Sequence, residues 1–278
     1  MPDGEATLER RATIRAVLGG GAATLAAAGC DTPRLDAELL LAAVLGVDRA
    51  RLVLDAGRVL DAAALEAFEA LLARRAAREP VAYILGRRAF RRIELDVDRR
   101  VLIPRPETEL LVEVGLVLPA SASVVDVGTG SGAVALALKD ERPDLSVWGV
   151  DASEDAVALA RANAARLGLE VRLVRTDLLD GLPPFDAVLA NLPYVAEGAV
   201  LAPEIALYEP RDALFAGADG LEVIRRLVGR LAGVPYVALE IGSEQGDEVA
   251  ALLRAAGFGA IRRLRDLAGH QRVITGRR

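Results

Sequence analysis

Val124-Val125-Asp126-Val127-Gly128-Thr129-Gly130-Ser131-Gly132 is the stretch on which the fold turns. A short apolar run of strand character feeds directly into alternating glycines, and a helical pattern over 131–140 begins at once. Glycine permits a tight turn and lets a ligand approach the backbone without meeting a Cβ. The same glycines would serve an ordinary strand-to-helix turn. The loop alone is therefore a candidate site for a nucleotide-type ligand and no more.

Outward from that loop, strands alternate with helices, as a parallel sheet with crossover helices requires. Strands are predicted at 123–127, 146–150, 170–174, 185–190, 234–241, 259–264 and 271–275, with helices at 131–140, 153–167, 219–232 and 244–256. Only Asp266 to His270 separates the last two strands. A parallel return needs about a dozen residues or more, so this pair must be an antiparallel hairpin. An open α/β sheet of seven strands ending in such a hairpin is the Rossmann-like arrangement of class I S-adenosylmethionine-dependent methyltransferases. Gly128, Gly130 and Ala133 also satisfy the dinucleotide fingerprint, with Asp151 at the expected distance downstream. Asp151 can accept both hydroxyls of a ribose, which suits NAD and S-adenosylmethionine equally. Asp177, after the third strand, is placed to accept an exocyclic adenine amine, although aspartate is equally common as a turn cap.

After the fourth strand comes Asn191-Leu192-Pro193-Tyr194. Strand ends of open sheets are where ligands sit. An amide nitrogen is a poor nucleophile because its lone pair is delocalised into the carbonyl. A site can help by accepting hydrogen bonds from both N–H groups, turning the lone pair toward a methyl donor. The Asn191 side-chain oxygen is one acceptor and the Leu192 carbonyl the other, with Pro193 holding Leu192 extended. Tyr194 offers an aromatic wall. An incidental proline turn would look the same in isolation, and the amino group of adenine or cytosine poses the same chemical problem.

The N-terminal third reads differently. Residues 8 to about 78 are predicted helical throughout. A helix starts at Asp31-Thr32-Pro33, where Asp31 or Thr32 can cap and Pro33 fits the first turn. Leu35, Leu39 and Leu40, widened by Leu41 and Val44, form its apolar face. Asp61 opens another helix carrying Leu65, Phe68, Leu72 and Ala76, which ends before Glu79-Pro80. Residues 1–85 are thus expected to form a small helical domain, and 86–278 a catalytic domain that includes a linking β-hairpin at about 86–101. Ile93, Leu95 and Val97 alternate there. Seven arginines lie between Arg87 and Arg105, either a solvated hairpin surface or a basic contact patch.

Composition excludes several classes. The 278 residues are 53% hydrophobic with a formal charge of −6, a pI near 5.1 and a mean hydropathy of +0.30. That supports a packed core and disfavours wrapping of nucleic acid, which usually needs a basic face. One cysteine, Cys30, and one histidine leave no internal disulfide and no metal site to expect. Arg10 and Arg11 before an uncharged stretch to Cys30 imitate an export signal, but Gly19, Gly20 and Gly21 interrupt it. A cytoplasmic monomer with no membrane span is expected.

Taken together, these segments resemble the PrmC/HemK family of protein-(glutamine-N5) methyltransferases that act on peptide chain release factors. The resemblance spans almost the whole chain. It is carried by Asp31-Thr32-Pro33-Arg34-Leu35-Asp36-Ala37-Glu38-Leu39-Leu40, Ile103-Pro104-Arg105-Pro106-Glu107-Thr108-Glu109, the glycine loop, the Asn191 loop, Glu209-Pro210, Ala213-Leu214, Gly220-Leu221, and Glu240-Ile241-Gly242 with Gln245. It implies S-adenosylmethionine as cofactor, no metal, and the glutamine of the release-factor GGQ motif as substrate. By that resemblance Gly128, Thr129, Gly130, Ser131, Gly132, Asp151, Asp177, Leu178 and Asn191 contact the cofactor. Asn191, Leu192, Pro193 and Tyr194 hold the glutamine, and Arg105, Pro106, Glu107 and Thr108 line the methionine end or the substrate channel. Two departures stand out. Leu192 replaces the first proline of the family's Asn-Pro-Pro-Tyr, and Leu178 stands where many relatives carry an aromatic residue. The alternatives are an adenine or cytosine amino-methyltransferase acting on nucleic acid, a non-catalytic cofactor-binding scaffold, and an NAD enzyme.

Overall fold

A computed structural model describes residues 12–278. The chain forms two compact units. One holds the described residues up to Gly86 together with Pro203–Tyr208; the other holds Arg87–Ala202 and Glu209–Arg278.

The first unit is built from α1 (Ile14–Ala27), α2 (Pro33–Leu45), α3 (Arg49–Leu54), α4 (Ala62–Ala76) and α5 (Val81–Leu85). The helical region expected over 8–78 is thus a set of separate helices, two of them starting where expected, at Pro33 and after Asp61, and residues 8–11 lie outside those described. The breaks have local causes. Gly29 and Gly46 adopt left-handed backbone angles, which end helices at no steric cost to glycine. Asp48 and Asp61 cap the next helices, accepting from Arg51 N at 2.7 Å and Ala64 N at 2.8 Å. Thr32 sits at the cap position of α2 with Pro33 at its first turn, but its hydroxyl donates to Asp36 Oδ1 at 2.8 Å instead of capping.

Leu40 and Leu41 are buried with Leu18, Leu25 and Phe68. Gly21 lets α1 approach that core, since a Cβ there would stand 2.9 Å from the Phe68 ring. Leu35, expected on the buried face, is 37% exposed. Asp36 takes the buried place beside it because it has a partner: Arg75 Nε donates to Asp36 Oδ2 at 2.7 Å, both side chains being 6% exposed. Arg75 Nη2 also donates to Glu204 Oε1 at 2.9 Å, Arg78 Nη2 to Glu204 Oε2 at 2.6 Å, and the Tyr208 hydroxyl to Ala77 O at 2.8 Å. These bonds bring the short helix Pro203–Tyr208 (α9 in chain order) into this unit.

The second unit begins with the hairpin β1 (Arg87–Phe90) and β2 (Ile93–Asp96). Its arginines are largely neutralised at home: Arg87 pairs with Glu94 at 3.0 Å, Arg91 with Glu141 at 2.8 Å and Arg100 with Asp98 at 2.6 Å. The main elements follow as α6 (Glu109–Leu116), β3 (Ser123–Val127), α7 (Ala133–Glu141), β4 (Ser146–Asp151), α8 (Glu154–Leu167), β5 (Arg172–Arg175) and β6 (Ala187–Ala190). They end with α10 (Glu222–Val228), β7 (Tyr236–Glu240), α11 (Gly246–Ala255), β8 (Ala260–Arg265) and β9 (Gln271–Arg277). The sheet order is β5-β4-β3-β6-β7-β9-β8. β3 to β7 pair in parallel, while β9 runs antiparallel to both β7 and β8. This is the class I methyltransferase sheet, terminal hairpin included. Central strands such as β6, buried at every position, show the continuous apolar run of a sheet covered on both faces. Helices α6 and α9 were not anticipated; each is short, and a proline opens or closely precedes it. Among the described residues no helix is long and apolar enough to cross a membrane.

Removing one partner of a buried ion pair leaves an uncompensated charge, which costs about 3–5 kcal/mol. Asp36→Ala leaves Arg75 with Glu204 as its remaining carboxylate, so the helical unit should lose less than that in urea unfolding, on the order of 1–3 kcal/mol. Replacing Asp36 by Leu and Arg75 by Met together should recover most of the loss.

Candidate active site

At the sheet's centre, β3 is flanked by β4 on one side and β6 on the other, so crossovers leave in opposite directions from their carboxyl ends. Ligands of open α/β sheets bind at such a switch point. A cavity of about 530 Å³ opens there, lined entirely from the second unit. That volume falls in the ordinary range for small-molecule sites.

The glycine loop makes one wall. Asp126, at the end of β3 and 2% exposed, holds the loop by accepting from Thr129 Oγ1 at 2.7 Å and Ala135 N at 3.2 Å. Burial pushes its carboxyl up to about 7. Gly128 is required as glycine: its φ is +76°, and a Cβ would stand 3.1 Å from Asn191 O. Asp151 accepts from Gly130 N at 3.0 Å through Oδ2 and from Ser153 N at 2.9 Å through Oδ1, and burial raises its carboxyl as well. Ser131 Oγ is buried without a hydrogen-bond partner among the described residues. An unmet hydroxyl beside a strand-end carboxylate suits a ligand bearing both acceptors and hydroxyls, and S-adenosylmethionine is one.

Asp177 and Leu178 lie on the far wall. Asp177 Oδ2 is already engaged by Arg226 Nη2 at 2.5 Å and Arg230 Nη2 at 3.2 Å, so only Oδ1 remains for a ligand. Leu178 is buried with a φ of +55°. A non-glycine residue held left-handed costs about 1–3 kcal/mol and tends to mark a site where backbone groups are being aimed.

Asn191 follows β6 directly. Its Nδ2 donates to Thr108 Oγ1 at 3.0 Å, which leaves Oδ1 on the cavity side. Neither Asn191 Oδ1 nor the Leu192 carbonyl accepts a hydrogen bond among the described residues. The Leu192 side chain is 4% exposed, packed into the core that also contains Leu178 and Val150, so its main-chain carbonyl is held by packing where a proline would hold it by ring geometry.

The loop beyond is pinned on several sides. Gln245 Nε2 donates to Tyr194 O at 2.9 Å while Gln245 Oε1 accepts from Gly242 N at 2.9 Å. Val195 N donates to Leu214 O at 2.9 Å, and Ala216 N to Val195 O at 2.9 Å.

Of the residues expected at the site, Gly128, Thr129, Gly130, Ser131, Asp151, Asp177, Leu178, Asn191, Leu192, Pro193 and Thr108 line the cavity. Gly132, Tyr194, Arg105, Pro106 and Glu107 are not on its wall. Gly132 starts α7 at a φ of +86°, where a Cβ would meet Leu136 at 2.8 Å; it serves helix packing. Tyr194 is half-buried, with its hydroxyl 3.5 Å from Glu240 Oε1, and burial with that neighbour pushes it up to about 12. Arg105 pairs with the buried Glu209, whose Oε2 accepts from Ile103 N at 3.2 Å. Pro106 and Glu107 begin the one-turn helix Pro106–Thr108. Arg100, Leu102, Pro104, Asp212, Val223 and Arg226 line the cavity without having been picked out. Glu240, 1% exposed, was quoted only within a motif. A carboxylate inside the apolar run Val237-Ala238-Leu239-Glu240-Ile241 was the signal that could have singled it out.

Gly220 gives a direct test of the loop. Its φ is +75° and a Cβ would lie 2.2 Å from Tyr194 O. The left-handed angle alone costs a side chain about 1–2 kcal/mol. Gly220→Ala should therefore lower the melting temperature and displace the Asn191 loop, reducing turnover at least about tenfold, as expected for loss of positioning.

With this geometry in place, the chain can be set beside known proteins. Residues 16–86 match the PrmC N-terminal domain and residues 105–208 the methyltransferase small domain. A release factor glutamine methyltransferase from Caulobacter vibrioides is 43% identical over 90% of this chain and 91% of its own length. One from Pseudomonas aeruginosa is 45% identical over 88% and 94%. The solved structure of a methyltransferase from Pyrococcus furiosus superposes with a TM-score of 0.50 at 16% identity, covering 66% of this chain and 87% of that one, a likeness of fold alone. By sequence along nearly its full length, this chain belongs to the release factor glutamine methyltransferase family.

Proposed function

We propose that the protein transfers a methyl group from S-adenosylmethionine to the side-chain amide nitrogen of a glutamine in peptide chain release factors. The observation that carries this is the pair of open acceptors at the end of β6, Asn191 Oδ1 and the Leu192 carbonyl, on the wall of a cavity of nucleotide size. Two acceptors beside each other match the two N–H groups of a primary carboxamide. When bound, S-adenosylmethionine supplies an electrophilic methyl carbon on a sulfonium.

The chain's own residues do the rest. Asp151 would accept ribose hydroxyls, and the backbone from Gly128 to Ser131 would allow the cofactor a close approach. Leu178 would pack against the adenine, with Asp177 Oδ1 as acceptor for its amine. Thr108 holds Asn191 in place at the substrate end. As the glutamine nitrogen attacks, it gains positive character, and both acceptors bind it more strongly than they bind the ground-state amide. The methylated nitrogen is acidic enough to give its proton to water. Positioning by these residues accounts for most of the rate.

The helical unit carries no catalytic candidate, and we assign it to gripping the protein substrate. Recognition then belongs to the unit that ends at Gly86 and includes Pro203–Tyr208, and chemistry to the other. A monomer acting in the cytoplasm, where release factors work, fits this role.

Asn191→Ala should lower turnover on the order of 10²–10³, as for loss of one preorganised polar contact, with cofactor affinity little changed. Incubation with methyl-labelled donor and, separately, release factor, RNA or DNA tests the substrate. Mass spectrometry should find one methyl group on a release-factor glutamine. Label on nucleic acid instead, or cofactor binding with no label anywhere, would overturn the proposal.

A further inference from the structure

The last torsion of an aspartate side chain is broad and two-fold, so a free carboxylate at the rim of a site can turn either oxygen toward a ligand or swing aside. Held in one orientation, the same group recognises a donor at one place only. Asp177 is held. Arg226 Nη2 donates to its Oδ2 at 2.5 Å, and Arg230 Nη2 donates to that same oxygen at 3.2 Å. We propose that Arg226 and Arg230 are positioning residues for the cofactor: together they take one oxygen of Asp177, aim the other at the exocyclic amine of adenine, and so make the site selective for an amino-substituted purine. This rests on the adenine contact proposed above for Asp177.

The clamp is built from two sides. Arg226 lies on α10 and Arg230 four positions later, two residues past its end, a spacing that sends both guanidiniums out from one face. Arg230 is itself fixed, its Nε donating to Asp180 Oδ1 at 2.8 Å and its Nη2 to Asp180 Oδ2 at 3.1 Å. Such a two-pronged pairing sets the plane of the guanidinium. Asp180 belongs to the same turn as Asp177: Asp180 N donates to Asp177 O at 3.1 Å, and Thr176 Oγ1 to Asp180 O at 2.8 Å. Between the two carboxylates Leu178 takes a φ of +55° with its side chain buried, on the cavity wall with Asp177 and Arg226. One turn therefore sinks the residue expected beside the adenine and hands both flanking carboxylates to the arginines.

These four side chains are 30–57% exposed, and ion pairs so exposed contribute little to stability. Their effect is directional. A carboxylate oxygen only accepts. Oδ1 therefore meets an amine at the six-position of a purine favourably and a carbonyl oxygen there unfavourably. Without the guanidiniums the carboxylate can rotate away from that carbonyl, and the discrimination fades.

S-adenosylhomocysteine and S-inosylhomocysteine differ in this part of the ring, the second carrying a carbonyl in place of the amine and a proton on the adjoining nitrogen. Titration calorimetry on the full-length protein measures a Kd for each. The wild type should prefer the adenosyl compound about tenfold to a hundredfold, the size of one hydrogen bond to a charged group. Asp177→Ala should reduce that preference to less than about threefold. Arg226→Met combined with Arg230→Met keeps the apolar stems and removes the donors; it should cut the preference about fivefold or more with Asp177 still in place. A wild-type preference in the double variant would overturn the clamp. A wild-type preference in Asp177→Ala would overturn the adenine contact assigned above, and the clamp with it. Independently of any ligand, crystal structures of the wild type and the double variant should differ in the orientation of the Asp177 carboxylate. An unchanged carboxylate would overturn the clamp even if neither compound bound, whereas failure of the wild type to bind either would overturn the cofactor assignment.

Discussion

The hydrogen bond from Asn191 Nδ2 to Thr108 Oγ1 spans 83 residues of sequence and joins the end of a central strand to the segment that begins at Ile103. A single such bond contributes only about 1 kcal/mol. It persists in one geometry because the groups around it have little freedom. Leu192 is sunk in the core behind it, the Tyr194 carbonyl is held by Gln245, and Gly220 passes so close beneath that carbonyl that no side chain fits. The segment from Ile103 is fixed in turn by Glu209, which takes the Ile103 amide and the Arg105 guanidinium on one buried carboxylate.

Much of this was legible in the residues. The sheet could be read because its central strands are buried on both faces and announce themselves as apolar runs, and because five residues between the last two strands permit only a hairpin. The glycine loop and Asn191 were legible for a related reason: a ligand crevice at a strand end needs local backbone features, and local features show in sequence. What stayed hidden depends on distant partners. Leu35 looked like core because the periodicity that placed it gave Asp36 no Arg75. Tyr194 looked like a wall of the site because nothing nearby in sequence marks Glu240 as the partner of its hydroxyl. Asp177 looked free because Arg226 and Arg230, which share its Oδ2, lie some fifty positions downstream.

The departure at Leu192 bears on how the loop works. A proline would restrict the backbone by its ring, whereas leucine has a wider choice of angles and an amide proton as well. Here the restriction comes from tertiary structure: a side chain 4% exposed cannot swing out without opening a cavity, at a cost of a few kcal/mol. Leu178 shows the complementary arrangement, a buried side chain holding the backbone at an angle it would not choose alone.

The short helix α9 leads to a different consequence. Its residues lie between Ala202 and Glu209 of the second unit, yet its carboxylate Glu204 shares the Arg75 guanidinium with Asp36 deep in the first. The helical unit is therefore discontinuous in the gene. No single cut in the polypeptide yields it whole, and a fragment ending at Gly86 would leave Arg75 with one carboxylate where the intact protein supplies two. During synthesis, residues up to Gly86 emerge from the ribosome long before Glu204 does. The last step in completing this small bundle thus waits on a stretch of chain that follows directly on the Asn191 loop.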